Sequence, residues 1–229
     1  MSAPVLHVIA CAHGTHDAAG RDVIDGLRAD LADLLAAEGP GAQVHEAYVD
    51  VQSPSLDEVV AALPPGEPAV IVPLLLSLGH HVHHDIHHAA AARPDTIAAA
   101  PLAGAGDDVE PRLVTVLAER VAQAVPAGEA ATSDVILAAA GTRAADGQAQ
   151  VHALAGALAR ATGLPVTAAF GAAATPRVPD AVSRVRAAGR RAVVAAHLLA
   201  PGHFHAALVQ RRMLPGVHPK AYVSAQTPW

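Results

Sequence analysis

Apolar and polar positions follow two rhythms along this chain, and the rhythms predict strands and helices in turn. The run VLHVIACA at residues 5–12 is almost entirely apolar, as expected for a strand that is buried on both faces of a sheet. The apolar residues that follow recur every three or four positions, which predicts an amphipathic helix: Val23, Ile24, Leu27, Leu31, Leu34 and Leu35. Strands that alternate with helices imply parallel crossovers, so we expect an α/β fold.

The same alternation continues to residue 124. Further strands are predicted near Gln43 to Val49, at 69–76 and near Ile97 to Leu102. Helices are predicted after the start signal Ser53-Pro54-Ser55, through the histidines at 80–88, and from Val109 to Ala124.

The second half of the chain repeats the first. The segment VILAAAGTRAADG (135–147) aligns with VIACAHGTHDAAG (8–20), and VVAAHLLAPGHFH (193–205) aligns with VIVPLLLSLGHHV (70–82). Because residues 127–133 lack apolar periodicity, we interpret them as a linker between lobes at 1–126 and 134–229. We expect two similar lobes, each a mostly parallel sheet flanked by helices, with an active-site cleft between them.

Composition narrows the possible functions. The formal net charge of −6 comes with no basic patch, which argues against binding to nucleic acid. A single cysteine, Cys11, excludes an internal disulfide and a cysteine-based zinc cluster, and we interpret it as a small core residue. No apolar run approaches the length of a membrane span, so we expect a cytoplasmic protein without a membrane partner.

Two histidine motifs stand where predicted strands end, which is where ligands bind in open parallel sheets. In HGTH (13–16), His13 ends the first strand and Gly14 allows the backbone to turn. In GHHVHHDIHH (79–88), the predicted helix opens with His80, His81, His83 and His84, and their i, i+3 and i, i+4 spacings put several of them on one face. Imidazole binds Fe, Co, Ni and Zn and is a base near neutral pH, so a metal-handling site is predicted.

Simpler interpretations apply to other histidines. His83, His87 and His88 are expected on the solvated face of the helix. Isolated histidines such as His7 and His45 are expected to be surface or hydrogen-bonded residues.

The chain resembles the sirohydrochlorin chelatases, the ATP-independent class II enzymes, in their long two-lobe form. The resemblance rests on HGT, on AYVD ahead of SPSL, and on P-L-L-L-x-x-G-x-H-x-x-x-D-I from Pro73 to Ile86. It implies insertion of Fe²⁺ or Co²⁺ into sirohydrochlorin for sirohaem or cobalamin synthesis, with no nucleotide or organic cofactor. It also implies a monomer, because two lobes in one chain supply the facing surfaces.

Carried over by motif, the resemblance makes His13 and His81 the metal-binding and catalytic residues. Further metal-ligand candidates are Asp50, His80 and His84. The chain departs from the family where His87 replaces the proline after Asp-Ile. In the second copy, Ala140 and Phe204 replace the two histidines, so that lobe is expected to cover the macrocycle. Candidates for binding the substrate are Gly14, Thr15, His16, Arg143, His203 and His205.

Two alternatives remain open. The first is a metal-storage or delivery protein that uses the histidine tract for Ni²⁺ or Co²⁺. The second is a hydrolase or transferase with His13 as base, but the sequence has no G-x-S-x-G motif to support it. Phosphate-binding and dinucleotide-binding fingerprints are also absent from the sequence.

Overall fold

The computed structural model describes residues 4–39, 41–77, 79–105, 108–202, 205, 206, 208 and 222–224. The chain divides into two compact units, Met1–Leu102 and Ala103–Trp229. Each unit contains a parallel sheet with helices beside it, which confirms the predicted α/β class. None of the helices in the described ranges is long and apolar enough to cross a membrane.

The first unit is built around the central strand of a parallel sheet. Its strands are β1 (Leu6–Ala12), β2 (Ala42–Tyr48), β3 (Ala69–Pro73) and β4 (Thr96–Ala98), in the order β2-β1-β3-β4. Its helices are α1 (Ala18–Glu38), α2 (Leu56–Ala62) and α3 (His80–Ala91). Strand β1 pairs with β2 and β3 on its two sides, and it is buried from His7 to Ala12.

The second unit has the same strand order. After a short antiparallel hairpin, β5 (Gly104–Ala105) and β6 (Asp108–Val109), come helix α4 (Pro111–Ala124) and a 3₁₀ turn (Ala130–Thr132). The rest consists of β7 (Ser133–Ala139), α5 (Ala145–Thr162), β8 (Val166–Phe170), α6 (Val178–Ala187), β9 (Arg191–His197) and β10 (Tyr222–Ser224). The sheet order β8-β7-β9-β10 matches that of the first unit, as a duplication predicts.

Apolar faces of the helices complete both cores. In the first unit, Ile9 and Ile71 of the sheet pack with Ile86 of α3 and with buried residues of α2. Burial of these aliphatic side chains is the main favourable term for folding such a unit. Ser55 caps the start of α2 with a capping box, in which the Ser55 hydroxyl accepts from the Glu58 N–H and the Glu58 carboxylate accepts from the Ser55 N–H.

The structure moves the boundary between the two units toward the N-terminus. Helix α4 was predicted to end the first lobe, but its Leu117 and Val121 pack with β7 and α5 in the core of the second unit. Residues 127–133 are also not a free linker, because Glu129 pairs with Arg191. The apolar stripe of α4 therefore needed the second sheet to cover it.

The predicted strand near Ile97 to Leu102 is shorter in the structure. Strand β4 ends at Ala98, and Ile97 is 67% exposed. Two single backbone hydrogen bonds then follow, from Ala99 N to Ile71 O and from Leu102 N to Leu75 O. The chain thus follows the sheet edge beyond β4 without extending the strand.

Cys11 is fully buried in β1, as predicted for a core residue. Burial raises the pKa of its thiol to about 12, so the thiolate that binds metals is strongly disfavoured.

Candidate functional site

The carboxyl edge of the first sheet brings three loops together. Strand β1 lies between β2 and β3, so the segments that follow all three strands start at the same edge. The Asp50 N–H donates to the His13 carbonyl at 3.0 Å, and the Leu74 N–H donates to the Cys11 carbonyl at 2.7 Å. The side chains of His13 and Asp50 are both exposed there.

Gly14 fixes how closely two of these loops approach. Its φ of +94° lies in the left-handed region, and a Cβ atom at this position would stand 2.2 Å from the Asp50 carbonyl oxygen. A side chain cannot fit in that space, so only glycine allows this backbone path. The close approach holds the His13 backbone beside the loop that carries Asp50.

Hydrogen bonds of Thr15 hold the rest of the HGTH segment in place. Its N–H donates to Gln52 Oε1 at 2.8 Å, and its carbonyl accepts from Arg21 Nε at 2.9 Å. Its hydroxyl accepts from the Asp17 N–H at 3.1 Å, just before α1 begins. Thr15 therefore holds the loop in place, and the neighbouring His16 side chain is exposed.

Asp50 also has a structural task. Its Oδ1 accepts from the Val51 N–H at 2.8 Å, and Val51 itself has a φ of 65°. A positive φ at a β-branched residue is unfavourable, so the surrounding contacts must stabilise this turn. One carboxylate oxygen of the predicted ligand is thus already engaged in shaping the loop.

Helix α3 begins at the second predicted motif. His80 and His81 are its first two residues, after Gly79 at the N-cap, and the description of both is limited to the backbone. The other four histidines of the helix, His83, His84, His87 and His88, are exposed. This confirms the prediction of a solvated face for His83, His87 and His88. Ile86 and Ala89 are fully buried on the opposite face of the helix.

No group of three or more metal-ligating side chains is assembled among the described residues. The side chain of His81 lies outside that description, so its pairing with His13 stays a prediction. The structure does bring the loop of His13, the loop of Asp50 and the start of α3 to one edge of one sheet.

The second unit reproduces this scaffold without the imidazole. Ala140 stands after β7 in place of His13, and Gly141 has a φ of +104° with the Ala172 carbonyl 2.0 Å from where a Cβ would lie. Gln148 Nε2 donates to the Thr142 carbonyl at 2.9 Å, as Arg21 does to Thr15. The second unit therefore retains the backbone conformation of this loop, although alanine replaces the histidine predicted to bind metal.

The predicted substrate-binding residues of this unit are placed only in part. Arg143 is exposed just before α5 begins, and His205 is half-buried. His203 and Phe204 lie outside the described residues. Arg177, at the N-cap of α6, donates to the Gly171 carbonyl of its own loop.

The histidine pair formed by His7 and His45 in the first sheet is structural. His7 Nδ1 lies 2.8 Å from His45 Nε2, and His7 Nε2 lies 2.6 Å from Glu67 Oε2. Burial, followed by the charge of His7, lowers the pKa of His45. Both histidines are hydrogen-bonded, as predicted; His7 lies near the amino end of β1 and His45 in the middle of β2.

Sequence reasoning missed His197. This residue ends β9, is 5% exposed, and takes the place of Leu74 when the two copies are aligned. Among the described residues, neither ring nitrogen has a hydrogen-bond partner. Burial lowers the pKa of His197 to about 4. The sequence did contain one indication of this residue, because the alignment of the two copies places His197 at the position of a core leucine.

Replacing His197 with leucine should remove a pH dependence of stability. The pKa of His197 in the folded protein lies below the ordinary histidine value of 6.5. The stability that comes with neutral His197 is therefore fully present above pH 6.5 and is lost as the pH falls toward 4. Between neutral pH and about pH 5, wild type should lose about 2 kcal/mol more unfolding free energy than His197→Leu. Urea unfolding at both pH values checks this, with exposed His152→Leu as control. Equal losses in wild type and His197→Leu would contradict the assignment.

The chain matches one protein family along most of its length. A model of the CbiX family matches residues 7–124 and 134–224. No curated protein sequence matches the chain.

Several solved structures have a similar fold. The sirohydrochlorin chelatase SirB from Bacillus subtilis subspecies spizizenii, in complex with cobalt, has a TM-score of 0.70 at 16% identity, over 96% of this chain and 87% of that one. SirB from Bacillus subtilis with Fe³⁺ has a TM-score of 0.68 at 16% identity, over 96% of this chain and 88% of that one. CbiX, described as the terminal enzyme of sirohaem biosynthesis in denitrifying bacteria, has a TM-score of 0.65 at 19% identity, over 97% of this chain and 93% of that one.

Proposed function

Because this chain belongs to the CbiX family, we propose that it inserts a divalent metal into sirohydrochlorin, with the first unit carrying the chemistry. The observation that supports this most is the HGTH loop, which holds an exposed His13 at the carboxyl edge of β1. Structures of similar fold are described as a sirohydrochlorin chelatase with cobalt and as an enzyme of sirohaem synthesis. The product would serve sirohaem or cobalamin synthesis.

The reaction needs groups that hold a metal loosely and accept protons. Sirohydrochlorin is a flat tetrapyrrole, and two of its pyrrole nitrogens must each lose a proton as the hydrated ion loses water. We assign His13 and His81 to both tasks, because a neutral imidazole can ligate the metal and can take up a proton near neutral pH. The two protons pass to the imidazoles and then to solvent, and the metal dication replaces them in the ring.

The other candidates receive supporting roles. Gly14 and Thr15 position the His13 loop through the close approach and the hydrogen bonds described above. His16 and Arg143 are exposed and can pair with substrate carboxylates, and His203 and His205 remain candidates for the same task. Asp50 can attract the incoming cation through the oxygen that Val51 does not engage.

We propose Fe²⁺ or Co²⁺ as the metal substrate. Imidazole ligands accept either ion, and affinity at such a site follows the metal series more than the protein. A buried, protonated Cys11 leaves no thiolate in the first sheet to retain the ion after the reaction.

An anaerobic absorbance assay with purified protein and sirohydrochlorin tests this proposal. We expect spectral conversion faster than the spontaneous reaction with Fe²⁺ or Co²⁺, and the same assay with Ni²⁺ completes the ranking of metals. Conversion at the spontaneous rate with all three ions would refute chelatase activity.

The exposed histidines of α3 favour one alternative, a metal-storage or delivery protein for Ni²⁺ or Co²⁺. Storage on the tract alone predicts that His13→Ala hardly changes the number of ions bound. It also predicts no acceleration of metal insertion by the wild-type protein.

A further inference from the structure

Four imidazoles of helix α3 are arranged as two pairs on its exposed surface. The ring centres of His83 and His87 lie 4.2 Å apart, and those of His84 and His88 lie 6.1 Å apart. We propose that these are two separate metal clamps, each able to hold one divalent transition-metal ion between two histidines. Their use in loading the insertion site rests on the proposed function, but their existence as metal sites does not.

The spacing of each pair matches what one ion requires. Residues four apart on a helix lie one above the other on the same face. Two imidazoles on one tetrahedral or octahedral ion, with metal–nitrogen bonds of about 2.1 Å, have ring centres roughly 4.5 to 5.3 Å apart. The two measured separations lie on either side of this range, so small side-chain rotations bring both pairs onto an ion.

The clamps are distinct because of helix geometry. Neighbouring residues on an α-helix are rotated by about 100°, so the two pairs point in different directions. Buried Ile86 and Ala89 fix the opposite face of α3 against the core of the first unit. The four histidines therefore stay in solvent, on a backbone that packing holds in register.

Two ligands give a site that can release its ion. Structural metal sites surround the ion with four protein ligands, whereas each clamp supplies two and leaves the remaining positions to water. Water ligands exchange readily, and His88 lies in the last turn of α3, where the helix dipole favours a cation. Both features suit transient holding of a metal near the start of the same helix.

The clamps can be tested by changing the arrangement of histidines while keeping their number constant. In a His80→Gln/His81→Gln background, H83Q/H87Q and H84Q/H88Q each destroy one pair and keep the other. H84Q/H87Q also removes two histidines, but it leaves His83 and His88 five positions apart, on different faces. Glutamine forms helix well, so far-UV circular dichroism should match the background protein in all three.

Titration calorimetry with Ni²⁺ gives the deciding readout. We expect each pair-deleting variant to bind one ion fewer than the background protein, and H84Q/H87Q to bind two fewer. Equal losses in all three variants, or no loss, would overturn the clamps, because histidine number or some other site would then determine binding. The titration contains no sirohydrochlorin, so it succeeds or fails independently of the chelatase assay.

The loading role has its own test in the otherwise wild-type chain. Replacing His83, His84, His87 and His88 together by glutamine should raise the metal concentration needed for half-maximal insertion rate. An unchanged concentration would overturn the loading role while leaving the calorimetric result in place.

Discussion

Replacing His13 with alanine is expected to slow metal insertion at least about 100-fold, the lower end of the contribution made by a positioned proton acceptor. The same change should alter the free energy of unfolding by no more than about 0.5 kcal/mol, because the side chain is exposed. The hydrogen bond to the Asp50 N–H comes from the His13 carbonyl, so the variant keeps it. Initial rates from the anaerobic assay and urea unfolding together check this prediction.

Two controls test whether activity requires an imidazole at position 13 or only a histidine elsewhere in the chain. His152→Ala removes another exposed histidine, on α5, and should insert metal at the wild-type rate. His13→Ala/Ala140→His moves the imidazole to the equivalent loop of the second unit and should stay inactive, since Phe204 replaces the partner histidine there. A His13→Ala rate within tenfold of wild type, or recovery by the transposed histidine, would contradict the assignment.

Replacing Gly14 with alanine is the second change with a large expected effect. The new Cβ would meet the Asp50 carbonyl oxygen at 2.2 Å in a backbone conformation with φ of +94°. We expect a loss of about 2 to 4 kcal/mol in unfolding free energy, from left-handed strain and displacement of the neighbouring loop. Insertion activity should also be lost at low temperature, where the variant is still folded, because His13 moves with the loop.

Gly141→Ala supplies the matched comparison. Its Cβ would stand 2.0 Å from the Ala172 carbonyl at φ of +104°, so the steric cost is similar, but the loop carries Ala140 instead of a histidine. This variant should lose comparable stability and keep most of its activity when folded. Gly26→Ala, in α1 with open space around it, should gain up to about 1 kcal/mol. Equal insertion rates in folded Gly14→Ala and Gly141→Ala would show that the loop does not position a catalytic group.

Local patterns were sufficient to predict the two sheets. The apolar run at 5–12 and its counterpart in the second copy became the central strands β1 and β7, since a strand buried on both faces has few polar residues. The alignment of the two copies places Gly141 at the position of Gly14. Their positive φ values show that both copies need the same backbone path.

The boundary between the units could not be predicted from the same patterns. The apolar stripe of α4 fits either sheet equally well in sequence, and only packing with β7 and α5 assigns it to the second unit. His197 was missed for a similar reason, because strand periodicity marks a position as buried without revealing that its nitrogens lack partners. The close approach of the Asp50 carbonyl to Gly14 could not be predicted either, because the two residues are far apart in sequence and meet only in the folded chain.

The most direct test of a chelatase site in the first unit is to measure the Co²⁺ insertion rate and the number of bound Co²⁺ ions on the same samples of wild type and His13→Ala. The proposed mechanism predicts that wild type exceeds the spontaneous rate. It also predicts that His13→Ala falls to near that rate while keeping the ions held by the α3 histidines. A wild-type rate equal to the spontaneous one, or an undiminished rate in His13→Ala, would contradict it.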